Sequence, residues 1–461
     1  MLKRTGSARI TPTDKYRSRI LGSLDGLRFG VSTGTHAERK KRTDCERPVK
    51  RQSRSNALII KSCSQHAALT MLVLCIIVFG LTSCASTDRL PAVPLALASK
   101  TQPLDIPDAR FYTVGDTDKL LALAEKVYVR RSRARLVTKT SSVLAISGGG
   151  DDGAFGGGLL TGWRERGDRP EFDTVTGIST GALSAPFAFL GPEYDSALRK
   201  IYTDTDADDV FSKRTLLAVV ASDAMADTAP LRAMIARFVD RKMIMRIAEQ
   251  YQRGRLLLIM TTNLDQGRAV IWNIGAIAES GHPHTRQLII DILLASASLP
   301  GVFPPVMLDI NIDGKRYQEM HVDGGAIAQA FLYPPSLSFK KVKEILKADG
   351  LKFKEHKRVA YILRNGRLYR PEANVKRSTL AILTQTTTTM TAASGVNDTY
   401  RIYLTTKRDG VGFNLAYIDD DFTLPYKGPF DKGYMRALFD YGFQKGFAGY
   451  PWQTTPPGYQ E

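Results

Sequence analysis

The sequence is poor in cysteine and histidine. Its 461 residues include four cysteines, and the last of them is Cys84, so the chain beyond that position has no thiol for a disulfide, a zinc site or a nucleophile. The six histidines do not cluster with metal-ligand spacing. The acidic run 204–209 lacks the central glycine and the distal glutamate of a calcium loop. The sequence therefore predicts neither a metal site nor a cofactor.

Strong charge is confined to the N-terminal part of the chain. The formal net charge is +18, but residues 1–83 hold 16 Lys or Arg against 5 Asp or Glu, a net charge of +11. This asymmetry argues against nucleic-acid binding by the rest of the chain. We predict that residues 1–66 form a basic, disordered extension. Because an export signal seldom follows so long a polar segment, a translation start downstream of Met1 is an open alternative.

The apolar run 67–81 has fifteen uncharged residues, fewer than the roughly 20 that span a bilayer. Its length suits the apolar region of a signal peptide, and the following Leu-Thr-Ser-Cys resembles a bacterial lipobox. We therefore predict a lipoprotein signal at 67–84, lipidation of Cys84 and a lipid-anchored protein of the bacterial cell envelope. The residues after Cys84 favour the outer membrane, and the alternative is an uncleaved signal anchor in the inner membrane.

Patterning divides the rest of the chain into three parts. Residues 85–140 are predicted to form a Pro-, Ala- and Thr-rich tether followed by an amphipathic helix at 118–135. Residues 141–330 carry the motifs described below and form the predicted catalytic core. Residues 331–461 alternate between helical and strand patterns, with strands expected at 401–406 and 413–418, and are predicted to extend the same α/β domain.

The pattern Gly177-Ile178-Ser179-Thr180-Gly181 follows a short apolar strand and precedes an apolar helix. A Gly-x-Ser-x-Gly turn between a strand and a helix presents a nucleophilic serine, and its glycines let the flanking chains approach closely. Ser179 would then lie at the amino end of a helix, where the helix dipole favours negative charge. Ser179 is the candidate nucleophile of the sequence.

A second glycine cluster follows the strand-like run 143–147 and occupies positions 148–158. A phosphate-binding loop is excluded because the cluster has no Lys and contains Asp151 and Asp152, and no convincing dinucleotide-binding unit follows. Backbone N–H groups in such a loop can stabilise an oxyanion. We predict that the amides of Gly148, Gly149 and Gly150 form the oxyanion hole.

A third motif, His321-Val322-Asp323-Gly324-Gly325, follows the segment 295–305 downstream. With these three motifs in this order, residues 143–330 resemble the patatin-like acyl hydrolases. The resemblance implies a three-layer α/β/α fold with a mainly parallel central sheet, a Ser179–Asp323 dyad and a lipid acyl-ester substrate. Asp152 stands where the family usually has a basic residue after its glycine loop, which puts a preference for anionic phospholipids in doubt.

Four alternatives stay open at this stage. His321 would share a strand face with Asp323 and could complete a Ser-His-Asp triad. The same residues could transfer an acyl group to another lipid instead of to water. The chain could also be a non-catalytic envelope lipoprotein that binds lipid or a partner, or a serine peptidase.

Overall fold

We describe the fold from a computed structural model. It describes residues 89–459, apart from 99, 137–139, 214–223, 352, 353, 355 and 370–373. These residues fall within one compact unit, Leu81–Glu461. The predicted basic extension, the signal peptide and Cys84 lie outside the described residues.

A nine-stranded sheet forms the centre of the fold. Its strands are β1 (Arg110–Tyr112), β2 (Thr140–Ile146), β3 (Thr174–Gly177), β6 (Leu256–Asn263), β7 (Arg268–Asn273), β8 (Val306–Ile312), β9 (Lys315–Asp323), β10 (Lys357–Leu363) and β11 (Gly412–Ala416). A separate hairpin joins β4 (Ser212–Lys213) to β5 (Ala226–Asp227). In the sheet, β6, β3, β2, β10 and β11 run parallel in this order. Beside β6, β7 and β9 pair antiparallel and lead to β1 and β8.

Helices connect these strands and cover the sheet. They are α1 (Leu95–Ala98), α2 (Thr117–Arg133), α3 (Gly153–Arg166), α4 (Thr180–Leu190), α5 (Asp195–Thr203), α6 (Ala207–Val210), α7 (Ala229–Phe238), α8 (Arg241–Gln252), α9 (Ile274–Glu279), α10 (Thr285–Ser296), α11 (Phe339–Ala348), α12 (Thr379–Asp409) and α13 (Lys432–Ala448). Within the ranges described above, no helix is both long enough and apolar enough to cross a bilayer.

Both faces of the sheet are buried. Leu144 and Ile146 of β2 join the largest apolar cluster, which includes residues of α3, α4 and α13. The intervening Ala145 points to the other face, where it shares a cluster with Ile402 and Tyr403 of α12. Because successive residues of a strand point to opposite faces, this alternation requires cover on both sides. The predicted α/β class with a mainly parallel central sheet is confirmed.

The described part of the predicted tether belongs to the folded domain. Arg89 forms a bidentate ion pair with Asp265 in the β6–β7 turn, with N–O distances of 2.7 and 2.8 Å. Further along, Arg110 of β1 is buried and pairs with the buried Glu319 of β9. A composition rich in Pro and Ala does not reveal such pairing. From Arg89 onward, the segment is therefore anchored to the sheet instead of forming a free tether.

Two elements differ from the sequence prediction. The glycines from Gly153 to Gly158 lie in α3 instead of a loop, because close packing against α13 outweighs their low helix propensity. Residues 401–406, predicted as a strand, lie in α12. There Ile402, Tyr403 and Thr406 are buried at helical spacing, which the short pattern of alternating residues does not reveal.

Candidate active site

Ser179 lies in a strained turn between β3 and α4. Its φ of 55° and ψ of −128° fall outside the regions that non-glycine residues favour. The turn is also too tight for side chains at both flanking glycines. A Cβ at Gly177 would lie 2.4 Å from the carbonyl oxygen of Gly181, and one at Gly181 would lie 2.3 Å from that of Ile146. This geometry leaves Ser179 half-buried at the amino end of α4.

Strand β6 brings Asp323 to the same place. Gly177 at the end of β3 is in register with Ile259, and Asp323 at the end of β9 is in register with Thr261. Both partners therefore meet one edge of β6, with Asp323 two positions beyond the end of β3. Ser179 is also two positions beyond Gly177, and its side chain hydrogen-bonds to the carboxylate of Asp323.

The end of α10 and the residues after it hold both members of the pair. The Ser179 amide donates to Oγ of Ser296 at 3.1 Å, and that hydroxyl donates to the carbonyl of Met260 on β6 at 2.8 Å. The Asp323 amide donates to the carbonyl of Ser298 at 2.9 Å. The segment 295–305, which the sequence singles out, thus fixes the backbone on both sides of the pair.

The pKa of the Asp323 carboxyl lies near neutral pH. Burial raises the pKa of Asp323 to about 7, opposed by hydrogen bonds from the Ser179 side chain and the Gly325 amide. The amide of Gly325 donates to Oδ1 at 2.7 Å. A carboxyl with a pKa this close to neutral pH can accept a proton from a hydroxyl and later return it.

The glycine loop after β2 lies beside the candidate nucleophile. A Cβ at Gly148 would lie 3.2 Å from Cβ of Ser179, so a side chain there would crowd the serine. The amide of Gly148 donates to the carbonyl of Gln329 at 3.0 Å. Gly148 is therefore not a free oxyanion donor, contrary to the prediction, because its N–H ties the loop to the chain after Asp323.

Three other amides meet the requirement for a free donor. Gly149 and Gly150 precede or open a short 3₁₀ turn, Gly150–Asp152, and Thr180 is the first residue of α4. The first N–H groups of a helix have no partner inside it. Among the described residues, none of these three amides makes a backbone or side-chain hydrogen bond. Thr180 directly follows the serine and was not among the predicted donors. Gly-x-Ser-x-Gly turns between a strand and a helix commonly use the amide of the residue after the serine.

Comparison with known proteins identifies the domain that contains these residues. Residues 144–334 match the family model of the patatin-like phospholipases. This segment is a patatin-like phospholipase domain. A solved structure, VipD from Legionella pneumophila, is similar at 11% sequence identity and a TM-score of 0.27, over 68% of this chain and 67% of that one. A search of curated proteins gave no match.

His321 of the patatin-like domain is directed away from the serine. Its Nδ1 lies 2.9 Å from Oγ1 of Thr261, and its Nε2 lies 3.2 Å from a carboxylate oxygen of Glu319. The ring also packs on Trp272, with 5.4 Å between the ring centroids. Burial lowers the pKa of His321 and favours its neutral form. With both ring nitrogens engaged by these partners, this geometry does not support a triad.

The two aspartates of the glycine loop support structure near the patatin-like site. Asp151 accepts a hydrogen bond from the amide of Phe430 at 3.0 Å, and Asp152 accepts one from the hydroxyl of Tyr434 at 2.9 Å. Burial raises the pKa of Asp151. Where the family usually has a basic residue, this domain therefore binds its own C-terminal helix, α13.

Gln329 is a site residue that the sequence motifs do not reveal. Its carbonyl accepts from Gly148, and its side-chain amide donates to the carbonyl of Gly325 at 2.8 Å. Its own amide donates to a carboxylate oxygen of Asp398 on α12 at 2.5 Å. Gln329 thus joins the glycine loop to the Asp-Gly-Gly turn. Its partners in both motifs are main-chain groups, so no residue pattern indicates this role.

No metal-binding group accompanies the pair in the part of the chain described here. Among those residues, no three His, Cys, Asp or Glu side chains are grouped so that they could hold an ion. The run 204–209, considered above as a calcium loop, instead contains Asp206, which caps α6 by accepting from the amide of Asp208 at 3.1 Å.

Proposed function

We propose that this protein hydrolyses acyl esters of lipids through a dyad of Ser179 and Asp323. The patatin-like phospholipase domain supports the class of lipid acyl hydrolases. The observation that carries the finer proposal is the hydrogen bond between the strained Ser179 and the buried Asp323, whose pKa is about 7. Backbone strain of this kind is typical of functional sites.

The reaction would begin when Asp323 accepts the hydroxyl proton of Ser179. The serine oxygen then attacks the ester carbonyl, and the amides of Gly149, Gly150 and Thr180 stabilise the negative charge that develops on the carbonyl oxygen. Asp323 returns the proton to the leaving alcohol, which leaves an acyl group on Ser179. Asp323 then takes a proton from water, which attacks this acyl-enzyme, and returns that proton to the oxygen of Ser179 as the fatty acid is released. Transfer of the acyl group to another lipid would need only a different acceptor in this last step.

The test is ester hydrolysis by the purified chain and by two variants, Ser179→Ala and Asp323→Asn. We expect each to reduce kcat by a factor of at least about 1000, because the dyad acts as a unit. Ser196→Ala and Asp208→Asn are matched controls at exposed positions and should leave kcat unchanged. Hydrolysis that survives both dyad variants, or is absent from the parent on every ester, would favour the alternative of a lipid- or partner-binding envelope lipoprotein. Cleavage of peptides but not of esters would favour a peptidase.

We also propose that a lipid on Cys84 attaches this protein to the bacterial outer membrane and that it does not bind nucleic acid. The lipobox-like sequence before Cys84 supports the anchor, and a lipid substrate is consistent with it. Metabolic labelling with a fatty-acid analogue tests the proposal. Cys84→Ser should abolish both the labelling and the presence of the protein in the membrane fraction, from which detergent releases the parent. An uncleaved chain in the inner membrane, without label, would support a signal anchor instead.

A further inference from the structure

The first half of α12 is not packed into the fold. Among the side chains of α12 that the structure describes, the buried ones begin at Gly395 and include Asp398, Ile402 and Thr406. Before that point, Ile382, Leu383 and Met390 are 49, 59 and 67% exposed. We call residues 379–391 the arm. Apolar side chains this exposed on one helix form a surface without a partner in the described structure.

The arm lies at the end of the sheet that carries the active site. The guanidinium of Arg364, which directly follows the last residue of β10, donates to the carbonyl of Ala392 at 3.3 Å. From there α12 runs back along the sheet to Asp409, near the start of β11. The arm continues in the opposite direction, so at ~1.5 Å per residue it extends about 20 Å beyond the carboxyl ends of the parallel strands. Ser179 lies at these carboxyl ends, as sites in open α/β sheets do.

The composition of the arm suits a lipid surface. Residues 379–397 contain no charged side chain, whereas Lys376 and Arg377 lie in the exposed segment before the helix, at the outer end of the arm. Apolar residues next to a basic segment are typical of helices that bind the interface of an anionic membrane. Exposed apolar residues also follow both loops of the site: Leu299 after Ser298, and Ile327 after Gly325.

The same helix supports the active site. Asp398, about two turns beyond Met390, accepts hydrogen bonds from the amides of Gln329 and Ala330 at 2.5 and 3.2 Å. Gln329 in turn holds Gly148 and Gly325. Whatever the arm binds is therefore presented to Ser179 by a helix that is fixed to the loops around it.

We propose that the arm and the basic segment before it dock the protein onto an anionic lipid bilayer, with the opening of the Ser179 site facing that surface. The proposal rests on the proposed function, because it assigns the site a substrate that lies in the bilayer. The arm inserts Ile382, Leu383 and Met390 among the acyl chains near the surface, while Lys376 and Arg377 contact the phosphate groups.

The experiment measures binding to vesicles separately from catalysis. The full chain carries Cys84→Ser throughout, so that no attached lipid contributes. Cosedimentation with phosphatidylglycerol vesicles and with phosphatidylcholine vesicles gives the partition coefficient, and hydrolysis of a short, water-soluble ester reports on the site alone. The variants are Leu383→Asp with Met390→Asp, and Lys376→Glu with Arg377→Glu. Met245→Asp on α8 is the matched control, since Met245 is 53% exposed.

We expect the apolar variant to reduce the partition coefficient on phosphatidylglycerol vesicles by a factor of about 10 or more, since it removes two side chains from the acyl region. The charge-reversed variant should lose the preference for phosphatidylglycerol. Hydrolysis of the soluble ester should be unchanged in both, and Met245→Asp should change neither binding nor hydrolysis.

Two outcomes would overturn the proposal. One is that the apolar variant binds vesicles as well as the parent does. The other is that the parent forms a dimer through the arm and the apolar variant is monomeric. If the soluble ester is not cleaved at all, the proposed function fails, while cosedimentation still decides whether the arm binds lipid.

Discussion

Asp323 is a single carboxyl whose burial sets its proton affinity and thereby its suitability as the proposed base. Asp323 is 3% exposed, and the two hydrogen bonds that its carboxylate accepts only partly offset the cost of burying its charge. The buried Glu319, four residues earlier on β9, behaves in the opposite way because His321 and Arg110 outweigh its burial and lower its pKa to about 2. Neighbouring carboxyls on one strand face thus differ through their partners and not through their depth.

This difference predicts the pH dependence of hydrolysis. A general base works only when it is deprotonated, so with a pKa of about 7 for Asp323 the rate should rise with pH and level off above neutrality. At pH 6 we expect kcat/KM for a water-soluble ester to be about a tenth of its plateau. His321 is held neutral by burial and should not contribute to this titration. A rate that is constant from pH 5 upward would contradict the role of Asp323.

The packing of α3 against α13 explains several glycines that take no part in chemistry. A Cβ at Gly158 or Gly162 of α3 would lie 2.0 Å from a carbonyl oxygen of α13, at Phe439 and Phe443 respectively. Likewise, a Cβ at Gly442 or Gly446 of α13 would lie 2.3 or 2.4 Å from a carbonyl oxygen of α3. Glycines four residues apart lie on one helix face, so the two backbones approach along matched surfaces.

A methyl group at this contact should therefore separate the helices. We expect Gly158→Ala to lower the free energy of unfolding by about 3 kcal/mol, because the added carbon overlaps a backbone oxygen that cannot easily move. Gly433→Ala, also on α13, is the control, since a Cβ there meets only Oδ1 of Asp431 at 3.3 Å. Its effect should be within about 1 kcal/mol. Urea denaturation measures both, and equal losses would show that the contact is not specific.

Across the whole molecule, a buried ion pair joins the beginning of the described chain to the hairpin that carries Asp323. Arg110 and Glu319 are 1 and 0% exposed, and Arg110 also donates to the carbonyl of Thr101 from Nε and Nη2 at 3.3 and 3.2 Å. His321 shares Glu319 with Arg110. The N-terminal segment and β9 are thus connected through charges that have no access to water.

Removing one partner of this pair should destabilise the fold strongly. We expect Arg110→Met to lower the free energy of unfolding by about 3–5 kcal/mol, because it leaves the carboxylate of Glu319 buried without its counter-charge. Arg316→Met is the control, because Arg316 lies on β9, the strand that carries Glu319. Its side chain is 69% exposed and lies 3.5 Å from Asp309, so its loss should cost at most about 1 kcal/mol. A similar cost for both variants in urea denaturation would contradict the importance of burial.

The sequence by itself determined the elements and motifs that depend on neighbouring residues. The turn at Gly177 to Gly181 and the order of the serine and Asp-Gly-Gly motifs are local patterns, because the restrictions on backbone angles and strand alternation act within a few residues. The resemblance drawn from these motifs also indicated the α/β class. What a short pattern could not decide was whether residues 401–406 form a strand or continue a helix, since burial there depends on β10 and β11.

Only the tertiary structure decided how the amides and charges are shared. Gly148, Gly149 and Gly150 are identical in the sequence, yet the amide of Gly148 donates to Gln329, 181 positions along the chain, while the amides of the other two have no partner among the residues that the structure describes. The register of β6 places Asp323 beside Ser179 and turns His321 toward Thr261 and Glu319. Hydrogen bonds between distant residues depend on how strands pair and not on the residues nearby, so they follow from the fold as a whole.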